Sequence, residues 1–435
     1  MAIPFGGAAR DKADYSRELR TQLIEQVMPY WYDTALDRQN GGYLLADDKK
    51  GRGEALEKQL VTQSRMVWGF SHAYLHHLGD GQHDYLAAAR SGYSFLTAHF
   101  LDPQTGGYFW KTDLAGKVRD DRKLLYGQAF VIYSFVEYYR ASHDGEALRR
   151  AVQLYTIIQL YLHDNPNGGW FEHAGRDWQP ILRPDPTLEV EIAGLKSANA
   201  HLHWMEALTE LYDVTRDPNI RNSLVEALRV NMDYFYPLRP GASSLHRQLD
   251  WRPVGGAESA GLSYGHNVEF AWLMVRAQLV LGVSPAWPHF FAHLNHALKY
   301  GYDHERGGLY SRGLGDQPAY DTEKVWWVQA EMLAALTDAL RVRPNPEYEK
   351  ALDQLLHFIL NSQIDPADGI WLWSVDADGK PRNTTKANSW KANYHDVRAM
   401  VKFIEAFPYQ PPPNKPKPVV PTAPKLAAPA ASPSK

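Results

Sequence analysis

The chain has 435 residues, with 46 Lys+Arg against 50 Asp+Glu, a net charge of −4. That balance gives no electrostatic reason to expect a nucleic acid or an anionic membrane as partner. Cysteine is absent, which excludes disulfides, thiolate catalysis and Cys-ligated zinc or iron–sulfur centres.

In chain order, residues 1–12 read as an N-terminal extension with no apolar targeting core, and no run approaches membrane-span length. A cytoplasmic protein with no membrane association is expected. Helical apolar periodicity then runs through 14–33, 58–77, 83–101, 123–141, 145–162, 191–215, 219–235, 261–281, 286–302, 321–341, 346–361 and 388–406. From Tyr409 the chain turns to Pro, Ala and Lys with no acidic residue, so 409–435 reads as a disordered tail.

Between helices one turn recurs: Asp, three residues, then Gly. It occurs as DRQNGGY at Asp37, DPQTGGYFW at Asp102, DNPNGGWFE at Asp164, DHERGGLYS at Asp303 and DPADGIWLW at Asp365. The glycines are 65, 62, 139 and 62 residues apart. The interval of 139 is two periods, so one unit has lost its turn near 237–250. Six units of about 65 residues, each a helical hairpin, outrank a domain count from length. One helix of each pair is strongly apolar yet carries polar groups near its N-terminus. That suits an inner ring around a cleft. The expected fold is all-α: one (α/α)6 barrel over 13–408, with the even-numbered helices inside.

The inner helices carry QSRMVWGFSHAY, LLYGQAFVIYSF, SANAHLHWMEAL, SYGHNVEFAWLM, KVWWVQAEMLAAL and SWKANYHDVRAM. Arg65, Gln128, His201, His266, Gln329 and His395 are 63, 73, 65, 63 and 66 residues apart, which predicts one level around the cleft. Histidine serves as acid or base at neutral pH. His266 and Glu269 share a helix face at i, i+3, and the Glu is expected to accept the second ring N–H; His395 and Arg398 repeat the spacing. Two repeats separate the two histidines. They should act from different sides of one substrate. His201 and His203 are ~200° apart on a helix and cannot share a metal. His289, His293 and His296 have ligand-like spacing, but on an outer helix with no nearby carboxylate. At most one of Trp326 and Trp327 faces the cleft.

These blocks, in this order and spacing, resemble the N-acylglucosamine 2-epimerase superfamily, most closely its cellobiose 2-epimerase branch, over residues 14–407. The resemblance implies an (α/α)6 barrel that epimerises or isomerises free reducing sugars without a metal or other cofactor. It implies that His266 and His395 are the acid/base pair, that Glu269 supports His266, that His201 assists ring opening, that Arg65 binds sugar oxygens and that Trp390 stacks on a sugar ring. Tyr126, Asn199, Trp327 and Arg398 complete the expected substrate-binding set. The branch usually has GHD and YHN where this chain has Asn267 and Asp396, which leaves cellobiose, mannose and N-acyl amino sugars all open. The expected partner is a small sugar, with the chain as monomer or homodimer. A glycoside hydrolase would instead need two carboxylates, for which Glu206, Glu269 and Glu331 are available; a non-catalytic sugar binder is the other alternative.

Overall fold

The computed structural model describes residues 10–45, 56–188, 190–256 and 261–410. Most of the expected tail lies outside them. Among the described residues twelve α-helical elements follow in order. α1 runs Lys12–Gln22, continues through a π turn at Leu23–Val27 and ends with Met28–Ala35. α2 is Leu60–Leu75; α3 is Tyr85–Phe95 with a π turn Leu96–Phe100; α4 is Leu125–Ser142; α5 is Gly145–Tyr161; α6 is Ala198–Thr215. α7 is Pro218–Val230 with a π turn Asn231–Phe235; α8 is Tyr264–Leu281; α9 is Trp287–Tyr300; α10 is Trp326–Val342; α11 is Pro346–Phe358 with a π turn Ile359–Gln363; α12 is His395–Ala406.

The even-numbered helices close a ring, α2 to α4, α6, α8, α10, α12 and back to α2, and one odd-numbered helix packs outside each. This is the expected (α/α)6 barrel. Burial follows the layer. In α4, 15 of 18 residues are buried, whereas α5 buries 5 of 17, spaced as one apolar stripe. Asp caps start several outer helices: Asp84 accepts from Ala87 N–H, Asp144 from Glu146 N–H and Asp217 from Asn219 N–H.

Several inner helices begin later than the periodicity suggests: α6 at 198, α10 at 326 and α12 at 395. The residues ahead of α6, α8 and α10 are instead the short strands Leu195–Ser197, Leu262–Ser263 and Lys324–Val325, and 386–394 is irregular ahead of α12. These segments hold the turns. Each turn Asp caps its own loop, as Asp303 does by accepting from Glu305 and Arg306 N–H at 3.0 Å. Its carboxylate also takes a buried lysine from the start of the next inner helix: Lys58 to Asp37 at 2.8 Å, Lys123 to Asp102 at 3.3 Å, Lys196 to Asp164 at 2.7 Å, Lys324 to Asp303 at 2.7 Å and Lys386 to Asp365 at 2.9 Å. The first four lysines also donate to the carbonyl of the first turn glycine.

Five residues after each lysine, a second side chain grips the residue that follows the turn. Gln63 accepts from Tyr43 N–H and donates to its carbonyl, Gln128 does so with Tyr108 and Gln329 with Leu309. His201 accepts from Trp170 N–H, and Lys391 donates to the Trp371 carbonyl. In the unit without a turn the equivalent position is Asn267, whose amide N–H2 is buried with no partner.

The far end of the ring is pinned by charge. Arg140 of α4 and Arg276 of α8 both reach Glu210 and Asp213 of α6. His72 pairs with Glu137, His76 with Glu405 and Lys402 with Asp338. Among the described residues no helix is long and apolar enough to cross a membrane.

Candidate active site

The turn clamps show that the expected single level of polar residues combines several. Gln128, His201 and Gln329 belong to the clamp level. His201 is fully buried, with Nε2 accepting from Trp170 N–H at 3.2 Å and Nδ1 facing the Ser197 carbonyl at 2.9 Å. Both ring nitrogens are used to hold backbone. His201 is therefore corrected from site residue to turn clamp.

Two residues beyond each clamp position stand Arg65, Phe130, His203, Glu269, Glu331 and Asn393. This level builds the site. The second histidine of the HLH block, His203, joins it: a ring nitrogen of His203, a ring nitrogen of His266 and a carboxylate oxygen of Glu269 lie within 4.8 Å of one another. His203 Nδ1 meets Glu206 Oε2 at 2.8 Å. The site's role for His203 was missed because the two histidines differ by only two residues, and spacing alone does not say which faces inward.

Beneath these groups lies a charge cluster. The Arg398 guanidinium donates to Glu269 Oε1 at 2.9 Å, to Glu331 Oε1 at 2.7 Å, to the Tyr394 hydroxyl at 2.6 Å and to Glu206 Oε1. It also stacks on Trp272 and Tyr394. Its four terminal N–H donors are spent within the protein, so Arg398 is corrected from sugar ligand to counter-ion of three buried carboxylates. Glu331 then aligns His395, whose Nδ1 is 2.6 Å from Glu331 Oε1, while Trp272 Nε1 donates to the other Glu331 oxygen at 2.9 Å. With Nδ1–H held by Glu331, the lone pair of His395 sits on Nε2.

Glu269 does not take the ring N–H of His266. It bonds Arg398, lies 4.0 Å from His395 Nδ1 and leaves Oε2 buried without a partner; His266 Nδ1 is also buried without one. The i, i+3 spacing put both groups on one face, but the guanidinium captured the carboxylate.

Burial pushes His266 down to about 4 and His395 down to about 3, in spite of the Glu331 hydrogen bond to His395. His203 is lowered for the same reason. All three rings are neutral at pH 7, the form in which a histidine accepts a proton. Burial opposes ionisation of Glu206 and Glu331 as well, but Arg398 and a histidine hydrogen bond outweigh it and hold both low. Glu269 goes the other way: burial and the charge of Glu331 raise it well above the ordinary carboxylate range.

The remaining expected residues line the walls. Trp327 spans the two histidines, its ring 4.8 Å from His266 and 5.8 Å from His395, while Trp326 turns back onto Trp373 at 4.3 Å. Gly265 makes room for this: a Cβ there would lie 2.6 Å from the Trp327 ring. Arg65 donates to the Trp390 carbonyl at 2.7 Å and to the Tyr126 hydroxyl at 2.9 Å, and stacks over Phe130 at 4.4 Å. Its Nε is buried without a partner. Trp390 lies 6.4 Å from Trp110. Asn199 donates to Glu191 Oε1 at 3.0 Å.

A cation could find ligands in His203, His266 and Glu269, or in Glu269, Glu331 and His395. In the second set Arg398 already bridges the two carboxylates, and in the first His203 Nδ1 is engaged by Glu206. The outer-helix histidines are not brought to a shared point: His289, His293 and His296 face the carbonyls of Tyr236, Pro237 and Gly315.

Residues 41–399 match the N-acylglucosamine 2-epimerase (GlcNAc 2-epimerase) family. A cellobiose 2-epimerase from Bacteroides fragilis is 28% identical over 400 residues, covering 89% of this chain and 98% of the relative. One from Ruminococcus albus is 30% identical, covering 89% and 97%. The solved structure of cellobiose 2-epimerase from Bacillus thermoamylovorans B4167 superposes with a TM-score of 0.82 at 28% identity, covering 90% of this chain and 99% of that one. With the match covering most of the barrel, the chain belongs to the N-acylglucosamine 2-epimerase family.

Proposed function

We propose that the protein is a sugar 2-epimerase that needs no metal and acts on the reducing-end residue of a cellobiose-type disaccharide or of a free hexose. The observation that carries this reading is a pair of neutral histidines, His266 and His395, whose rings lie 4.8 and 5.8 Å from that of Trp327, beside one buried charge cluster that Glu331 joins to His395. An epimerisation at C2 needs a base for one face and an acid for the other.

Ring opening comes first: C1–O5 breaks as O5 takes a proton from solvent, and the anomeric O1–H proton passes to one histidine, which arms it as an acid; ring closure reverses both transfers. The other neutral histidine removes the C2 proton, leaving an enediolate. Arg65, held by Tyr126 and the Trp390 carbonyl, supplies the cation for the developing oxyanion. Rotation about the chain then presents the opposite face, and the armed histidine returns a proton to C2. Arg398 stays in the floor, where it keeps Glu331 ionised and His395 oriented.

The cluster also speaks against a hydrolase. Glu206 and Glu331 are held ionised by Arg398, and Glu269 is bound to the same guanidinium, so none is placed as a free acid–base pair across a glycosidic bond. Aldose–ketose isomerisation is the second reading. It uses the same enediolate with the proton returned to C1, and a D-mannose isomerase from Marinomonas mediterranea is 24% identical over 88% of this chain. We read the site as cytoplasmic, consistent with a chain that has no cysteine.

The test is proton NMR in D2O with cellobiose and, separately, mannose. Deuterium at C2 with the 2-epimer accumulating supports the reading, and its loss in H266N and H395N assigns the bases. A ketose product moves the protein to the isomerase reading. No exchange with cellobiose, mannose or N-acetylglucosamine overturns both.

A further inference from the structure

Beyond the histidine cluster, one wall of the cleft is built in an unusual way. Glu191 is not glycine yet has φ of +56°, a strained backbone state that persists only where the surroundings fix it. Two hydrogen bonds do so. Oε1 accepts from Asn199 Nδ2 at 3.0 Å, and Oε2 accepts from His246 Nε2 at 2.8 Å. Asn199 stands on the same helical level as Tyr126 and Trp327. With Nδ2 committed to Glu191, its Oδ1 is left buried with no partner. A lone buried acceptor is a cost that a sugar hydroxyl would relieve.

His246 belongs to the unit that lost its turn. It lies on the strand His246–Gln248, paired with Leu195–Ser197 so that Ser197 is opposite His246. The strand therefore ties the segment carrying Glu191 to the N-terminus of α6, where Asn199 sits.

From these contacts we propose that His246 and Glu191 are positioning residues that fix Asn199 for sugar binding, so that His246 governs substrate affinity without taking part in proton transfer at C2. This role rests on the epimerase reading. The charged groups facing His246 are Glu191, Glu172 and Arg312. Burial and Arg312 disfavour the imidazolium, but the Glu191 hydrogen bond and charge outweigh them and raise His246 above its ordinary value. The pair is strongest while His246 is charged and weakens as the pH rises through that raised value. Substrate affinity should fall over the same interval, well separated from the acid-side titration of His266.

The experiment measures KM and kcat from pH 5 to 9 for the wild type, H246L, H246Q and E191Q, with thermal melts to verify folding. The expected result is a KM about tenfold higher in H246L and E191Q, the scale of one lost charge-assisted hydrogen bond, with kcat falling less than threefold. H246Q, which keeps a donor but cannot titrate, should bring KM most of the way back and abolish its rise with pH. A folded, active H246L with unchanged KM overturns the positioning role alone, as does a kcat that falls in step with the KM change. A wild type that exchanges no C2 proton overturns the epimerase reading and this role with it.

Discussion

Replacing His201 separates the clamp from the chemistry. Its ring accepts from Trp170 N–H at 3.2 Å and meets the Ser197 carbonyl at 2.9 Å, and it is fully buried. In three other units the equivalent residue is glutamine, which accepts the backbone N–H and donates to the carbonyl of the same turn residue. H201Q should therefore rebuild a clamp already used elsewhere in this barrel. The expected change is within about 1 kcal/mol of wild-type stability, with kcat/KM within about threefold, since one hydrogen bond is exchanged for another. H201A should cost about 3 kcal/mol or more, because it orphans a buried backbone N–H and opens a cavity. H203N, by contrast, should lower kcat about 100-fold or more with little loss of stability, because a His203 ring nitrogen lies within 4.8 Å of His266 and Glu269. Urea denaturation gives the stabilities and C2 deuterium exchange gives the rates. A folded H201Q that is as inactive as H203N would refute the assignment of His201 to the turn.

Other outcomes follow from the same geometry. His266 is held down at about 4, so kcat/KM should stay level to about pH 5 and titrate near 4; an acid limb near the ordinary histidine value of about 6.5 would contradict its burial. Because folding keeps the His266 and His395 rings neutral, the unfolded chain binds more protons below about pH 6.5. Stability should therefore drop as the pH falls from there towards 3, visible as a declining melting temperature. K324M strands the buried Asp303 carboxylate and should cost about 3–5 kcal/mol, largely recovered in K324M/D303N; an unchanged urea midpoint would show that the lysine clamps contribute little. G265A pushes a Cβ against the Trp327 ring and should reduce kcat/KM at least about tenfold through a ring displaced from the histidines, with helix content preserved by circular dichroism.

The pattern of Asp, three residues and Gly, with its period of about 65, marked six units, the unit without a turn and the layer of each helix. These are local facts: turn chemistry and apolar periodicity are written in neighbouring residues. A further signal was equally local and went unread. A lysine follows the turn Asp by 21 residues in four units and by 32 in one, and the clamp residue follows it by five. Reading that register would have placed His201 with Gln128 and Gln329, and Arg65 with His203, Glu269 and Glu331.

Only the closed ring decided the rest. Which of His201 and His203 enters the cleft depends on helix rotation against two neighbours. Arg398 looked like a sugar ligand because its three carboxylates come from α6, α8 and α10, up to 192 residues away. Glu269 shares a face with His266, yet a buried guanidinium outcompetes a neutral imidazole for its oxygen. The Glu331–His395 contact, 64 residues apart, and the Glu191–His246 contact, 55 apart, likewise exist only after closure. Sequence periodicity determines which face of each helix is apolar; long-range charge pairing, set by the packed barrel, determines what each polar group on the other face is bound to.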